Sequence, residues 1–143
     1  MEILTTSNII MKANVSTKEE AIRMAGEKLV EKGYVESSYV DSMLEREKMV
    51  STFMGNLIAI PHGTDESKKA VLNSGITILQ IPNGIDFGDG NIAKVVFGIA
   101  GKGDEHLDIL SKIAIFCSEE TNVEKIVASS TADEIVKMFN EVD

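Results

Sequence analysis

His62 ends the apolar run Leu57-Ile58-Ala59-Ile60-Pro61-His62-Gly63 and is one of two histidines in the chain. An imidazole can act near neutral pH as a nucleophile, a general base or a metal ligand. Its neighbours suit presentation at the surface. Pro61 cannot extend a sheet ladder and fixes its own φ, so a strand is expected to stop there. Gly63 lets the chain turn and lets another molecule come close. The same residues would also suit a histidine that merely caps a strand end.

The second histidine, His106, follows Gly101-Lys102-Gly103 and Asp104, which reads as a helix N-cap. His106 therefore belongs to the first turn of a helix, where unpaired N–H groups and the positive end of the dipole favour an anion. Arg46 falls in the last turn of an earlier helix, a position that favours a cation in any case. Each of these residues has an ordinary explanation when taken alone. Together, two imidazoles and one guanidinium form a set suited to handling phosphate, with one histidine as nucleophile.

Other chemistries find less support. Cys117 lies on the apolar stripe of its helix and reads as a buried structural thiol. No Gly-x-Ser-x-Gly elbow is present. Gly88-Asp89-Gly90 and Gly101-Lys102-Gly103 spell neither a phosphate loop nor a dinucleotide fingerprint, so both read as turns. A metal-dependent hydrolase would need His62, His106 and a carboxylate such as Asp104, Glu105 or Asp108, but no His-x-x-x-His spacing or carboxylate ladder supports it.

The elements that must hold these residues follow from patterning. A short strand is expected around Ile9-Ile10-Met11. Ser16-Thr17-Lys18-Glu19 reads as a capping box, with Ser16 and Glu19 exchanging hydrogen bonds at a helix start. Ala21, Ile22, Ala25, Leu29 and Val30 continue at helical spacing, and Gly33 supplies the stop. A second helix begins near Ser37 or Ser38, with Val40, Met43, Leu44 and Glu47 marking its period. Residues 58–60 form a short strand. Residues 76–81 form a longer one that Pro82-Asn83-Gly84 should end in a turn. The run from Lys94 to Ala100 is apolar on both faces, as in a strand covered by helices on each side. The helix after Asp104 should bury Leu107, Leu110, Ile113, Ala114 and Cys117. Two short helices follow, from about Asn122 and from Thr131, the latter with a Thr131–Glu134 capping pair. The expected fold is an α/β sandwich, a central mixed β-sheet flanked by helices on both faces.

At 143 residues the chain is expected to form one domain spanning 1–143. Apolar stretches are too short for a membrane span, and the N-terminus lacks a signal-peptide pattern. A single cysteine fits a reducing cytoplasm. A net charge of −9 disfavours nucleic acid and favours partners with neutral or basic docking faces.

Leu44-Glu45-Arg46-Glu47-Lys48, then Gly55 through Gly63, resembles the phosphorylation segment of the mannitol/fructose class of sugar phosphotransferase IIA proteins. Ile85-Asp86-Phe87-Gly88, the strand to Ala100 and Glu105-His106-Leu107-Asp108-Ile109-Leu110 resemble that family's second histidine segment. The resemblance runs nearly the whole chain, and the combination of Arg46, Pro61-His62-Gly63 and His106 carries its specificity. The Phe87-Gly88 block and the glycine-rich approach to His106 are closer to the mannitol branch than to the nitrogen-regulatory one.

The resemblance implies a cytoplasmic phosphocarrier. The carrier HPr, charged from phosphoenolpyruvate through enzyme I, would pass a phosphoryl group to His62. That group would go next to a cysteine of a IIB domain, which phosphorylates the sugar brought in by the membrane IIC domain. His62 matches the phosphorylated residue, His106 the histidine that hydrogen-bonds the phosphoryl oxygens, and Arg46 the basic residue beside the site. No cofactor or metal is implied, since donor and acceptor are both protein side chains. A regulatory or fructose-type IIA protein is the alternative within the family. Asn56 departs from the pattern of members that carry an acid there, which would shift any tuning of the imidazole to Asp65 or Glu66. Starting at Met1 and ending at Asp143, the chain reads as a free-standing IIA protein.

Overall fold

A computed structural model of the chain describes residues 3–141. Its elements are β1 (Ile9–Ile10), α1 (Lys18–Glu31), α2 (Ser38–Met49), β2 (Phe53–Gly55), β3 (Ile58–Ala59), β4 (Gly75–Asp86), β5 (Ile92–Ala100), α3 (Glu105–Cys117), α4 (Glu120–Ala128) and α5 (Ala132–Asn140). Short 3-10 turns cover Thr6–Asn8 and Asp65–Ala70. The strands form one sheet in the order β1-β4-β5-β3-β2. Its pairings are mixed: β1 runs parallel to β4 and β3 to β5, whereas β4–β5 and β2–β3 are antiparallel.

Alternation along the two central strands builds a core on each face. Leu79, Ile81, Val96 and Ala100 meet Ala21, Ile22, Ala25 and Leu29 of α1 and Met43 of α2. Ile76, Ile78, Val95, Phe97 and Ile99 meet Ile109, Ile113 and Phe116 of α3, with Val123, Ile126, Ile135 and Phe139 beyond. The expected sandwich, helices covering both faces of a mixed sheet, is the fold observed.

Several local expectations need correction. The first capping box lies one residue later: Thr17 accepts from the Glu20 N–H at 3.1 Å, and Glu20 Oε1 accepts from the Ser16 N–H at 3.1 Å. Pro82 does not end its strand. β4 continues to Asp86 because the register with β5 shifts between Gln80 and Ile85, and a bulge tolerates the missing proline N–H. Gly88-Asp89-Gly90 does form the turn expected, with the Asn91 N–H donating to the Gly88 carbonyl at 3.0 Å.

α3 is rotated from its expected face: Ile109, Ile113, Phe116 and Cys117 are buried, while Leu107 and Ala114 are exposed. The apolar arc of that helix is wide, running from Ile109 and Phe116 round to Leu107 and Ala114, so periodicity alone does not choose which part of it meets the sheet. The 131–134 capping pair forms as expected, Thr131 accepting from the Glu134 N–H. A hairpin that patterning missed joins β2 to β3. It turns through Asn56 and Leu57, both at positive φ (48° and 68°), as a tight primed turn requires.

Candidate functional site

β3 ends at Ala59, just short of the proline expected to stop it, but the chain keeps to the sheet as far as His62. The Ile99 N–H donates to the Pro61 carbonyl at 3.0 Å, and His62 forms an isolated parallel bridge with Ile99. The imidazole thus stands on the edge of β5. Its Nδ1 lies 2.8 Å from the Ile60 carbonyl oxygen. A carbonyl can only accept, so Nδ1 carries the proton and Nε2 keeps the lone pair.

Gly63 is fixed by a residue that sequence reading passed over. The buried Tyr39 hydroxyl accepts from the Gly63 N–H at 2.9 Å and donates to the Ile99 carbonyl at 2.8 Å. This ties α2 to both the histidine loop and β5. A side chain at position 63 has no room: a Cβ there would lie 2.3 Å from Ser67 Oγ and 2.6 Å from Tyr39 Cε1. Burial is also what raises the Tyr39 pKa. Nothing in the spacing of α2 marks Tyr39 as more than a core aromatic.

His106 is the second residue of α3, and its ring centroid lies 5.4 Å from that of His62, the planes inclined at 60°. Gly101 allows this approach, since a Cβ there would fall 2.3 Å from His106 Cα. The start of the helix is pinned by Ser74, which donates to Glu105 Oε1 at 2.8 Å and accepts from the Lys102 N–H at 2.9 Å. Asp104 occupies the N-cap position but takes a helical φ, and its side chain makes no capping bond. The N–H groups of Glu105 and Leu107 donate to the carbonyls of Lys102 and Asp104, both at 3.2 Å. The anion corner expected from helix geometry therefore leans on side chains more than on those two amides.

Arg46 lies in the last turn of α2, as expected, and its Nη1 donates to the Val50 carbonyl at 2.7 Å. Arg46, His62 and His106 line one open cleft of about 520 Å³ with Tyr39, Asp65 and Lys68. The three residues picked from sequence are thus brought together, and Lys68, from the 3-10 turn, adds a cation that was missed. Asn56 is not beside the imidazole: its side-chain amide donates to the Cys117 carbonyl at 3.0 Å. Asp65 does lie close enough to act on both histidines.

Burial is the largest influence on His62 and lowers its pKa from the ordinary 6.5. The Ile60 carbonyl opposes that shift, Arg46 adds to it, and Asp65 and Glu47 oppose it. For His106 burial again lowers the pKa from 6.5, helped by His62 and Lys68 and opposed by Asp65. Both rings therefore favour the neutral form at pH 7. Cys117 is inert by comparison, buried and pushed up to about 12, as its apolar stripe implied. Among the described residues, no three His, Cys, Asp or Glu side chains gather as a metal-binding set. Nor is any helix among them long and apolar enough to cross a membrane.

The chain as a whole has close counterparts among known proteins. A family model described as phosphoenolpyruvate-dependent sugar phosphotransferase system, EIIA 2, matches residues 2–142. The chain belongs to that family. It is 56% identical over 143 residues to the mannitol-specific phosphotransferase enzyme IIA component of Bacillus subtilis, covering all of both chains. It is 59% identical to the component of the same name from Geobacillus stearothermophilus, covering 100% of this chain and 99% of that one. Among solved structures, the complex of enzyme IIA-Mtl with phosphorylated enzyme IIB-Mtl from Escherichia coli superposes with a TM-score of 0.92. That match has 39% identity and covers 96% of this chain and 97% of that one.

The EIIA 2 chain also shows what surrounds its cleft. Met49 and Leu107 are 68% and 66% exposed on its wall, and Val50 stands exposed beside Met49. Glu45, Glu66 and Asp104 add acidic groups to the lining. An apolar patch bounded by charge at an open cleft is a surface another protein can cover briefly and leave.

Proposed function

We propose that this EIIA 2 protein is the mannitol phosphocarrier of a sugar phosphotransferase system, with His62 as the residue that holds the phosphoryl group. In this reading it works in the cytoplasm, takes the group from phospho-HPr and gives it to a cysteine of a IIB domain. The IIB domain then phosphorylates the mannitol brought in by the membrane IIC domain. One observation carries the assignment of the nucleophile: the 2.8 Å bond from Nδ1 to the Ile60 carbonyl leaves Nε2 as the lone-pair nitrogen of a cleft-lining imidazole.

The transfer follows from that geometry. Nε2 attacks the phosphorus of the donor phosphohistidine; a new N–P bond forms, the donor N–P bond breaks, and its electron pair returns to the donor ring. In the second step a thiolate of the acceptor attacks, an S–P bond forms and His62 is released. Charge in such a transition state spreads over three equatorial oxygens, so placement and electrostatics dominate catalysis. Arg46, His106 and Lys68 supply positive or hydrogen-bonding groups around that position. They come singly from three elements rather than as one multi-arginine clamp, which suits a group that must be handed on. The mannitol assignment is supported by the relatives at 56% and 59% identity. The IIB acceptor is supported by the structural match to a IIA–IIB complex.

The test is incubation with phosphoenolpyruvate, enzyme I and HPr, mapping of the acid-labile phosphate, and a chase with mannitol IIB. Label on His62 that moves to IIB is the expected result. Label elsewhere, or label that IIB cannot discharge, would refute the assignment.

A further inference from the structure

Glu47 is a carboxylate in the wrong place for a surface helix. It is only 6% exposed, on the core side of α2, directly after Arg46. Its Oε1 accepts from the Thr52 N–H at 3.0 Å and from the Thr52 hydroxyl at 2.6 Å. Its Oε2 takes no hydrogen bond from any described residue and faces the Lys18 ammonium at 3.6 Å. A charge buried on these terms is costly, and packing alone would be better served by an apolar side chain.

What the carboxylate holds is the segment on which the site is hung. Val50, two residues before Thr52, offers the carbonyl that anchors Arg46 Nη1 at 2.7 Å. Thr52 itself accepts from the Ile60 N–H at 3.0 Å. The carbonyl of that same Ile60 binds His62 Nδ1 at 2.8 Å. One acceptor oxygen therefore fixes a chain reversal from which two lines of hydrogen bonds lead, one to the guanidinium and one to the imidazole. Glu47 does not itself line the cleft.

We propose that Glu47 is a positioning residue for phosphoryl transfer, setting the places of both His62 and Arg46 through its hold on Thr52. The inference rests on the reading of His62 as the phosphorylated residue. Its effect is geometric: a nucleophile displaced by a fraction of an ångström loses alignment with the incoming phosphorus, and rate falls steeply with such displacement.

The test compares labelling rates from phospho-HPr for the wild type, Glu47→Ala, Glu47→Gln and Val123→Ala, with the imidazole nitrogens of His62 followed by 15N NMR. Glu47→Ala is expected to stay folded and to label on His62 about ten- to a hundredfold more slowly. Its His62 nitrogen shifts should move toward a mixture of tautomers as the Ile60 carbonyl drifts. Glu47→Gln keeps a carbonyl oxygen for Thr52 and should recover most of the rate, which separates position from charge. Val123→Ala weakens the core on the opposite face of the sheet and should leave rate and shifts alone. Should Glu47→Ala fail to fold, Thr52→Val removes the hydroxyl bond only, and it should slow labelling in the same direction. Wild-type rate and unchanged His62 shifts in Glu47→Ala, or in Thr52→Val where that variant stands in, would overturn the inference. So would an equal slowing in Val123→Ala. A wild type that takes no label on His62 would instead remove the site assignment beneath it.

Discussion

His62 and His106 meet with ring centroids 5.4 Å apart, yet they arrive from different architecture. His62 stands at a broken strand edge with Nδ1 committed to a backbone carbonyl, whereas His106 rides the first turn of α3. Their roles should separate accordingly. His62→Ala is expected to abolish labelling from phospho-HPr. His106→Ala is expected to take label on His62, more slowly, and to pass it poorly to IIB. Mass spectrometry of both variants after the relay decides this; phosphate on His106, or label persisting in His62→Ala, would reverse the assignment.

Acid should act on both rate and stability through the same two rings. Only the neutral imidazole has a lone pair to attack with, and burial lowers both pKa values from 6.5. Phosphoryl acceptance should hold through pH 6.5 and fall only at lower pH, as His62 protonates. The folded state resists protons that the unfolded chain binds from about 6.5 downward, so stability rises with pH between the folded pKa values and 6.5. Acidification through that window should therefore lower the melting temperature, and the slope should shrink in a His62→Gln, His106→Gln double variant. A loss of acceptance with its midpoint above 6.5 would contradict this picture.

How much of this could be read from residues alone depends on what each residue answers to. Pro61 pointed to an interrupted strand because proline fixes its own φ and lacks an N–H, whatever surrounds it. Thr131 with Glu134 did the same for a helix start. Pro82 misled because its effect depends on a partner strand: with the register shifted, β4 had no need of its N–H. Leu107 misled because the apolar arc of α3 is wide, and only the sheet decides which part of it is covered. Tyr39 and Lys68 were silent, and Glu47 showed only as part of a helical period, for a third reason. Their partners are distant in sequence or lie across a chain reversal, and no spacing rule joins them.

Tyr39→Phe tests the brace between α2 and the histidine loop. The variant keeps the ring but leaves the Gly63 N–H without the hydroxyl that now accepts it at 2.9 Å. Losing a partner for such a group costs about 1–3 kcal/mol. Thermal or urea unfolding should show that loss, and labelling of His62 should slow while the site stays intact. Stability equal to the wild type would mean that water replaces the hydroxyl without penalty and that the brace carries nothing.

Arg46→Lys asks whether the guanidinium is more than a helix-end cation. Lysine keeps the charge and the favourable position in the last turn of α2, but it loses the planar fork that can bond the Val50 carbonyl and an oxyanion together. A charge-assisted hydrogen bond is worth roughly 1.5–3 kcal/mol, which corresponds to about ten- to a hundredfold in rate. The fold should survive, because the cleft wall is open and lysine is smaller in volume. Both half-reactions, from HPr and to IIB, should slow by that factor, since the same phosphoryl group occupies the same place in each. Rapid-quench kinetics of the two steps supplies the measurement. Wild-type rates in both would return Arg46 to the role of a cation at a helix end, with Lys68 and His106 left to meet the charge.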